Sequence, residues 1–174
     1  MNADFERLRL RALRTSDEHV FEAAQRELAA EGSGMGSTYQ AGMQWDDFLK
    51  ATSDNAIGVN LPAGWVPNTF LVADVDGTLV GSASVRHSLN DALRQYGGHI
   101  GYAVLPDKRR RGYGTAILRQ CVRIAHTIGI DPVLVTCDED NIGSIKAIEA
   151  VGGQLGARVQ MPSRTVPTRH YWIG

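Results

Sequence analysis

One stretch of this chain, residues 101–115, restricts the possible folds more than any other. It starts with an apolar segment, Gly101–Val104, continues through a proline and four consecutive cations, Lys108–Arg111, and reaches a Gly-Tyr-Gly sequence at residues 112–114. Apolar residues then recur at helical spacing until Gly129, which predicts an amphipathic helix. A strand that passes through a glycine turn into a helix indicates a strand–helix–strand crossover, in which the helix packs back on the sheet.

The turn between this strand and helix has the composition of an anion-binding site. Gly112 and Gly114 have no Cβ, so the backbone there can approach a bound anion closely. The N–H groups at the start of a helix lack helical acceptors, and the helix dipole favours negative charge beside them. We therefore predict that a phosphate-bearing ligand binds Arg109, Arg110, Arg111, Gly112, Tyr113, Gly114 and Thr115.

The alternative interpretation is a solvated basic turn. A solvated turn needs only exposed cations and does not explain the order of strand, proline, cations, Gly-x-Gly and amphipathic helix that is present here. We therefore favour the anion-binding site. Two other phosphate motifs do not match, because the chain lacks the Gly-Lys-Ser/Thr of a Walker loop and has Ile117 in place of the third glycine of a dinucleotide fingerprint.

These residues resemble the acetyl-CoA signature of the GNAT superfamily of N-acetyltransferases. Arg109-x-x-Gly112-x-Gly114 follows a Tyr-Ala-Val strand, and Asn141-x-x-Ser144 before Gly152 resembles a second block at the expected spacing. Three further strings resemble a bacterial subgroup: Arg86-His-Ser-Leu-Asn90, Gly97-Gly-His-Ile-Gly-Tyr102 and Arg169-His-Tyr-Trp-Ile173. The resemblance covers the chain from about Leu61 onward.

The resemblance implies an acyltransferase that moves an acetyl group from acetyl-CoA to a primary amine of a small molecule or peptide. The amine would attack the thioester directly in a ternary complex, without an acyl-enzyme or a metal. The backbone of Tyr102, Ala103 and Val104 would hold the pantetheine arm and polarise the thioester carbonyl. Asn141 would bind the pantetheine amide in addition to capping its helix, and Ser144 would face the sulfur.

The sequence departs from the family pattern at the general acid and the general base. Ile148 stands where many GNAT enzymes have a tyrosine, so the proton donor to the thiolate is predicted to be Ser144, Tyr171 or a water, or no donor is needed, since a thiolate is a fair leaving group unaided. The usual strand glutamate is also missing. His99 is the predicted base, because an unperturbed histidine pKa suits proton removal at neutral pH, and His87 is the second choice. A structural histidine in a strand is the alternative for His99.

Two other functions compete with the transferase. A non-catalytic acyl-CoA-binding module would keep the glycine turn and lack the acid and base. Separately, the sequence Asp74-Val-Asp76-Gly-Thr resembles the start of haloacid-dehalogenase-like phosphatases, which use Mg²⁺. We prefer a hairpin turn at Asp76-Gly77, because an alternating strand pattern continues after Thr78.

Composition and charge restrict the partners. With 18 basic and 19 acidic side chains the net charge is -1, so nucleic acid and anionic membranes are not expected partners. The N-terminus has no apolar core of a signal peptide, and a cytoplasmic bacterial protein is expected. Cys121 and Cys137 have no spacing typical of zinc sites or disulfides. Strand edges near the C-terminal end would allow a homodimer.

The remaining patterns predict an α+β fold in one domain over residues 1–174. Strands are predicted at Arg7–Arg14, Thr69–Asp74, Thr78–Val85, Gly98–Val104, Val133–Thr136, Gln154–Val159 and Thr168–Ile173. Helices are predicted at Asp17–Ala30, near Trp45–Ala51, from Gly112 to Gly129 and from Asn141 to Gly152. The expected sheet is mixed and mostly antiparallel, with a central parallel pair and flanking helices, as in GNAT proteins.

The segment Glu31–Pro67 is otherwise predicted to form loops that wall the acceptor site. Trp45, Asp46, Asp47 and Trp65 could favour an ammonium group there by charge and cation–π contact, or the tryptophans could belong to the core.

Overall fold

The computed structural model describes residues 4–35 and 38–174. Its helices are α1 (Asp4–Arg7), α2 (Glu18–Ala29), α3 (Trp45–Ala56), α4 (Asp91–Tyr96), α5 (Tyr113–Thr127) and α6 (Ile142–Glu149). Its strands are β1 (Leu8–Arg11), β2 (Asn68–Val75), β3 (Thr78–Arg86), β4 (Ile100–Val104), β5 (Val133–Asp138), β6 (Gln154–Val159) and β7 (Thr168–Ile173). Short 3-10 turns occupy Thr15–Asp17 and Pro106–Lys108.

The strands form two antiparallel sheets, which confirms the predicted mixture of sheet and helix. One sheet has the order β1-β2-β3-β4, and the other has the order β5-β7-β6. The hairpin between β2 and β3 turns at Asp76 and Gly77, where both residues have positive φ, of 51° and 86°. A glycine is favoured at such a position because it has no Cβ to clash with the backbone.

Helices cover the first sheet on both faces. On one face α5 packs against β1, β3 and β4 and joins α6 and the second sheet in one apolar cluster around Ile117, Leu118 and Ile148. On the other face α2 and α3 form a second cluster in which Phe21 and Phe48 lie against Phe70. The sheet is therefore buried between two helical layers.

Most of the predicted elements are present, and several differ. Helix α3 continues to Ala56, beyond the predicted Ala51, and the predicted strand Arg7–Arg14 is limited to β1, Leu8–Arg11. Helices α1 and α4 were not predicted. Helix α4 has six residues, none of them buried, so it carries no apolar periodicity that a sequence pattern could reveal. Part of the predicted loop segment Glu31–Pro67, namely Gly36 and Ser37, lies outside the described residues.

The expected parallel pairing between β4 and β5 is not confirmed. In the described ranges every strand ladder is antiparallel, and β4 and β5 belong to different sheets. Within the same ranges, no helix combines the length and the apolar character needed to cross a lipid bilayer.

A cluster of charges ties β1 to the start of α2 and to the β2–β3 hairpin. The Arg11 guanidinium donates to Asp17 (Nη1 to Oδ2, 2.7 Å) and to Asp74 (Nη2 to Oδ2, 2.9 Å). The other oxygen of Asp74 accepts from the N–H of Gly77 at 2.8 Å. Burial raises the pKa of both carboxyls, but these hydrogen bonds outweigh it, so each pKa lies below its ordinary value.

Replacing Arg11 with Met should destabilise the fold by roughly 2–3 kcal/mol at neutral pH, because two partly buried carboxylates lose their cation. The pKa values of Asp17 and Asp74 are lower in the folded than in the unfolded protein. The contribution of these carboxylates to the free energy of unfolding is therefore complete above the unfolded pKa of about 3.9 and is lost as the pH falls through their folded pKa values. Urea unfolding at several pH values should therefore show the difference between wild type and variant shrinking below about pH 3.5.

The matched control is Lys50→Met, which removes an exposed i,i+4 ion pair with Asp54. This variant should differ from wild type by less than about 0.5 kcal/mol. Equal effects of the two substitutions would show that the Arg11 cluster does not anchor β1.

Candidate active site

The ladder between β3 and β4 determines which backbone groups of β4 are free. The N–H of Leu105 donates to the carbonyl of Val80 at 3.0 Å, and the register continues from this pair along the strands. Hydrogen-bonded pairs alternate in an antiparallel ladder, so Ala103 also bonds to β3, whereas the N–H groups of Tyr102 and Val104 point away from it. Neither of these two N–H groups has a partner in residues 4–35 and 38–174. One edge of β4 therefore offers unpaired donors.

Strand β5 contacts this edge at one end through His99 and Leu134. The N–H of His99 donates to the Leu134 carbonyl at 2.7 Å, and the N–H of Leu134 donates to Nδ1 of His99 at 2.9 Å. The preceding Gly98 has φ +62°, and a Cβ there would lie 2.6 Å from the Leu134 carbonyl oxygen. Only glycine allows this approach. Beyond the contact, no ladder joins β4 to β5 among the described residues.

The same contact defines the protonation of His99. Because Nδ1 accepts a hydrogen bond from a backbone N–H, the neutral ring carries its proton on Nε2. Burial lowers the pKa of His99, and the positive charges of Arg94 and Arg86 lower it further. The prediction that His99 is the general base stays a prediction, but the nitrogen that would accept a proton already accepts the Leu134 N–H. The second choice, His87, contacts Thr69 Oγ1 through Nε2 at 2.9 Å.

The chain leaves the open edge of β4 and enters α5 through a turn with unusual backbone dihedrals. Arg110 has φ +60°, and Gly112, which precedes the first residue of α5, has φ +79°. Among the residues that the structure describes, no side chain caps the start of this helix. Gly114, in the first turn, packs close to β4, since a Cβ there would lie 3.4 Å from Cε2 of Tyr102. The result is an uncapped helix start beside the open strand edge, which suits an anion.

The four cations before α5 are not equivalent. Arg109 donates through Nε to the Val104 carbonyl (3.1 Å) and through Nη2 to Glu31 (2.6 Å), and Lys108 pairs with Asp107. Arg110 and Arg111 are exposed to solvent. Arg109 therefore ties the turn to β4, the charge of Lys108 is paired with its neighbour, and Arg110 and Arg111 are the cations available to a ligand.

Helix α6 begins beside the same edge. Oδ1 of Asn141 accepts from the N–H of Ser144 at 3.0 Å, so Asn141 caps the helix as predicted. Its predicted role towards a pantetheine amide stays a prediction, and the exposed side-chain NH₂ group is the part that would serve it. Ile148, two turns further, is fully buried.

The phenol of Tyr102 is the unusual group of this site. The sequence analysis predicted a role in ligand binding for the backbone of Tyr102 but none for its side chain. Its Oη is buried and has no hydrogen-bond partner among the described residues. Burial raises the pKa of Tyr102, and the adjacent Ser144 side chain partly offsets this effect without forming a hydrogen bond of ordinary geometry. An unpaired buried hydroxyl costs roughly 1–3 kcal/mol, which a bound ligand could recover. No sequence pattern indicates such an unpaired group.

The other predicted proton donor, Tyr171, has partners within the protein. Its Oη donates to Oε1 of Glu149 at 3.2 Å and lies 3.4 Å from Nη1 of Arg169. Tyr171 is thus bound in a polar cluster between α6 and β7.

The nearby Cys137 is not a nucleophile at neutral pH. Burial raises the pKa of its thiol to about 11, so this cysteine is protonated.

The aspartates of the phosphatase-like sequence are occupied by structural contacts. Both oxygens of Asp74 accept hydrogen bonds, from Gly77 and Arg11, and Asp76 pairs with Arg7 at 2.5 Å. Within residues 4–35 and 38–174 no group of three or more acidic, histidine or cysteine side chains could hold a metal ion. These contacts favour the hairpin interpretation.

The predicted acceptor segment contributes in part. Trp45 is buried in the aromatic cluster with Phe21 and Phe48 and donates through Nε1 to a backbone carbonyl, so it belongs to the core. Trp65 is half-exposed and lines a cavity of about 250 Å³ with Asp54. A second cavity, of about 310 Å³, lies against β3 and β4 and includes Arg86, which the sequence analysis did not single out as a functional residue.

Comparison with known proteins identifies the family. Residues 7–154 match the acetyltransferase (GNAT) domain. The chain therefore belongs to the GNAT acetyltransferase family. A curated acetyltransferase of Yersinia pestis is 26% identical over 129 residues, which cover 72% of this chain and 85% of that protein.

Solved GNAT structures have the same fold. A putative acetyltransferase from Salmonella typhimurium, solved with acetyl-CoA, has a TM-score of 0.62 at 16% identity and covers 96% of this chain and 93% of its own. The spermidine N-acetyltransferase of Vibrio cholerae, solved with CoA and spermine, has a TM-score of 0.62 at 13% identity and covers 97% and 95%.

Two substitutions at His99 separate a general base from a residue that joins the sheets. His99→Asn keeps an acceptor oxygen near the position of Nδ1 but removes the imidazole. If His99 acts by joining β4 to β5, this variant should keep most of the wild-type kcat/KM between about pH 6 and 9. His99→Leu removes the acceptor and should destabilise the protein by roughly 1–3 kcal/mol, because the Leu134 N–H loses its partner. A folded His99→Asn enzyme with kcat/KM reduced more than about 100-fold would instead identify a base.

Proposed function

We propose that this GNAT protein transfers the acetyl group of acetyl-CoA to a primary amine by direct attack in a ternary complex. The observation that supports this proposal is the continuity between the unpaired edge of β4 and the uncapped start of α5. The ligand that matches these donors has an amide-containing arm, which suits the N–H groups of β4, and a pyrophosphate, which suits the start of α5. Acetyl-CoA, when bound, supplies the acetyl thioester.

The pyrophosphate end is proposed to lie at the turn that leads into α5. The N–H groups of the first helical turn and the helix dipole favour negative charge there. Gly112 is exposed, Gly114 allows the start of α5 to pack close to β4, and the exposed Arg110 and Arg111 supply cations. Arg109 contributes indirectly, because its hydrogen bond to the Val104 carbonyl fixes the turn against β4.

The N–H groups of Tyr102 and Val104 are proposed to bind the pantetheine arm and the thioester oxygen. These donors are fixed by the β3–β4 ladder, so they need no reorganisation to stabilise a developing oxyanion. The backbone of Ala103 takes less part than the sequence suggested, since its N–H faces β3. Asn141 and Ser144 at the start of α6 border the same region.

We propose Tyr102 as the proton donor to the leaving sulfur, in place of the tyrosine that Ile148 replaces. The phenol is protonated at neutral pH, and among the described residues its buried Oη forms no hydrogen bond that a thiolate would have to displace. Tyr171 is a weaker candidate, because its Oη already donates to Glu149. Ser144, beside Tyr102, could relay the proton. No base is assigned to His99: the neutral fraction of the amine attacks, and the proton that its nitrogen then loses passes through water to the Tyr102 phenolate, which has given its own proton to the sulfur.

The first test is calorimetric titration of the protein with acetyl-CoA and with S-acetylpantetheine, which lacks the phosphates. Acetyl-CoA should bind one to one and at least about 100-fold more tightly, because the α5 turn binds only the phosphate groups. Arg111→Gln should weaken acetyl-CoA binding by about 3- to 10-fold. The control, Arg119→Gln, removes an exposed arginine further along α5 and should leave binding unchanged.

Equal affinity for the two thioesters would contradict the proposed site. Tight acetyl-CoA binding with no thiol release, in the presence of a broad panel of amines, would support the alternative of an acyl-CoA-binding module.

The second test compares three tyrosine variants in a thiol-release assay at saturating acetyl-CoA. Tyr102→Phe removes only the unpaired Oη and should reduce kcat by about 10- to 100-fold while the Kd for acetyl-CoA changes little. Tyr96→Phe, at an exposed position in α4, is the control and should retain wild-type kcat. A loss of kcat in Tyr171→Phe but not in Tyr102→Phe would assign the proton donor to Tyr171.

A further inference from the structure

The cavity of about 310 Å³ lies on the face of the first sheet opposite α5. It is bordered by Gly34, Met35, Ser82, Ala83, Ser84, Arg86, Gly101, Tyr102 and Ala103. Side chains alternate along β3, so Ser82, Ser84 and Arg86 point to this face, while Ala83 and Val85 pack in the cluster beneath α5. The cavity therefore has a polar wall and borders the same strand, β4, whose free edge is proposed to bind the thioester.

Arg86 is held at the end of this polar wall. Nη1 donates to the carbonyls of Gly97 (2.9 Å) and Gly98 (3.0 Å). The guanidinium lies over Gly101, where a Cβ would be only 3.3 Å from Nη2. The missing side chain at Gly101 thus leaves room for the guanidinium beside β4. Nη2 and Nε form no hydrogen bond with any described residue.

The charge of Arg86 is not neutralised by any residue that the structure describes. No carboxylate within residues 4–35 and 38–174 forms an ion pair with it, and none of the residues that line the cavity is acidic. Burial lowers the pKa of Arg86, and no acidic neighbour offsets that effect. Arg86 and Arg94 also lower the pKa of His99, so the surroundings of the cavity are positive. A partly buried arginine with free donors favours an anion.

We infer that the amine acceptor also carries a carboxylate, which Arg86 binds in this cavity. The inference rests on the proposed function and specifies its acceptor as an amino-acid-like molecule. A guanidinium presents parallel N–H donors that match the two oxygens of a carboxylate. A polyamine would instead place a second ammonium group beside an uncompensated cation, which is electrostatically unfavourable. The cavity volume suits a small molecule of this kind.

The test uses acceptors that differ only in the charge of one group. L-alanine is compared with L-alaninamide, and γ-aminobutyrate with its amide, in a thiol-release assay with saturating acetyl-CoA. In wild type the acid of at least one pair should have a kcat/KM about 10- to 100-fold higher than its amide. This preference opposes intrinsic reactivity, because an α-amino amide has more of its amine unprotonated at neutral pH than the amino acid.

The variant Arg86→Gln removes the charge and leaves a shorter polar side chain, which no longer reaches the carbonyls that Nη1 contacts at Gly97 and Gly98. Its acid-to-amide ratio should fall to about 1, chiefly through KM, while acetyl-CoA binding stays unchanged. Arg94→Gln is the control for long-range charge, since Arg94 is exposed and does not line the cavity. This control should keep the wild-type ratio. If Arg86 serves only to hold the Gly97–Gly98 turn, Arg86→Gln would leave the ratio unchanged, which would overturn the inference.

Binding measurements separate this inference from the proposed function. The CoA-loaded wild type is titrated with N-acetyl-L-alanine, N-acetyl-γ-aminobutyrate and their amides, so that no turnover is needed. Tighter binding of an acid, which disappears in Arg86→Gln, would support the carboxylate site even if no amine is acetylated. Equal binding of acid and amide in both pairs, or a wild type that prefers the amides in turnover, would overturn it. If Arg86→Gln does not fold, the acid-to-amide ratios of wild type decide the question.

Discussion

The paired hydrogen bonds between His99 and Leu134 are the constraint on which the rest of the site depends. They join the two sheets at one point, and the glycine at position 98 allows the close approach. Because the strands share no ladder beyond that point, the N–H groups of Tyr102 and Val104 remain unpaired. Buried or half-buried backbone donors are normally satisfied in a folded protein. Strand β4 is an edge strand, and because its Tyr102 and Val104 are half-buried, their free N–H groups favour a ligand at this edge.

The anion-binding turn follows directly from this edge along the chain. Only residues 103–112 lie between Tyr102 and the first residue of α5. Arg109, within this segment, donates a hydrogen bond to the Val104 carbonyl. The strand edge and the helix start are therefore held at a fixed distance from each other. Because the donors of the strand edge and of the helix start have fixed positions, they can align a long ligand without a rearrangement of the protein. On the opposite face, the cavity with Arg86 borders the same strand. The proposed account therefore places acetyl-CoA at the free edge of β4 and the acceptor on the face of the sheet opposite α5.

Sequence alone predicts the parts of this arrangement that depend on local patterns. The glycines at residues 112 and 114, the apolar period of α5 and the Asn141 cap each act within a few residues, and all are present. Contacts across long sequence separations leave no such pattern. Nothing in the chain near His99 indicates that its ring accepts from Leu134, 35 residues away, or that the phenol of Tyr102 has no partner. Helix α4 is too short, and too exposed, to have an apolar period.

The most direct test of the central claim is the exchange of backbone amide hydrogens in β4, followed by NMR with and without acetyl-CoA. In the free protein the amides of Tyr102 and Val104 should exchange much faster than that of Ala103, which the ladder with β3 protects. Addition of acetyl-CoA should slow the exchange at Tyr102 and Val104 and change Ala103 little. Protection of Tyr102 and Val104 already in the free protein, or no change on addition of acetyl-CoA, would contradict the account.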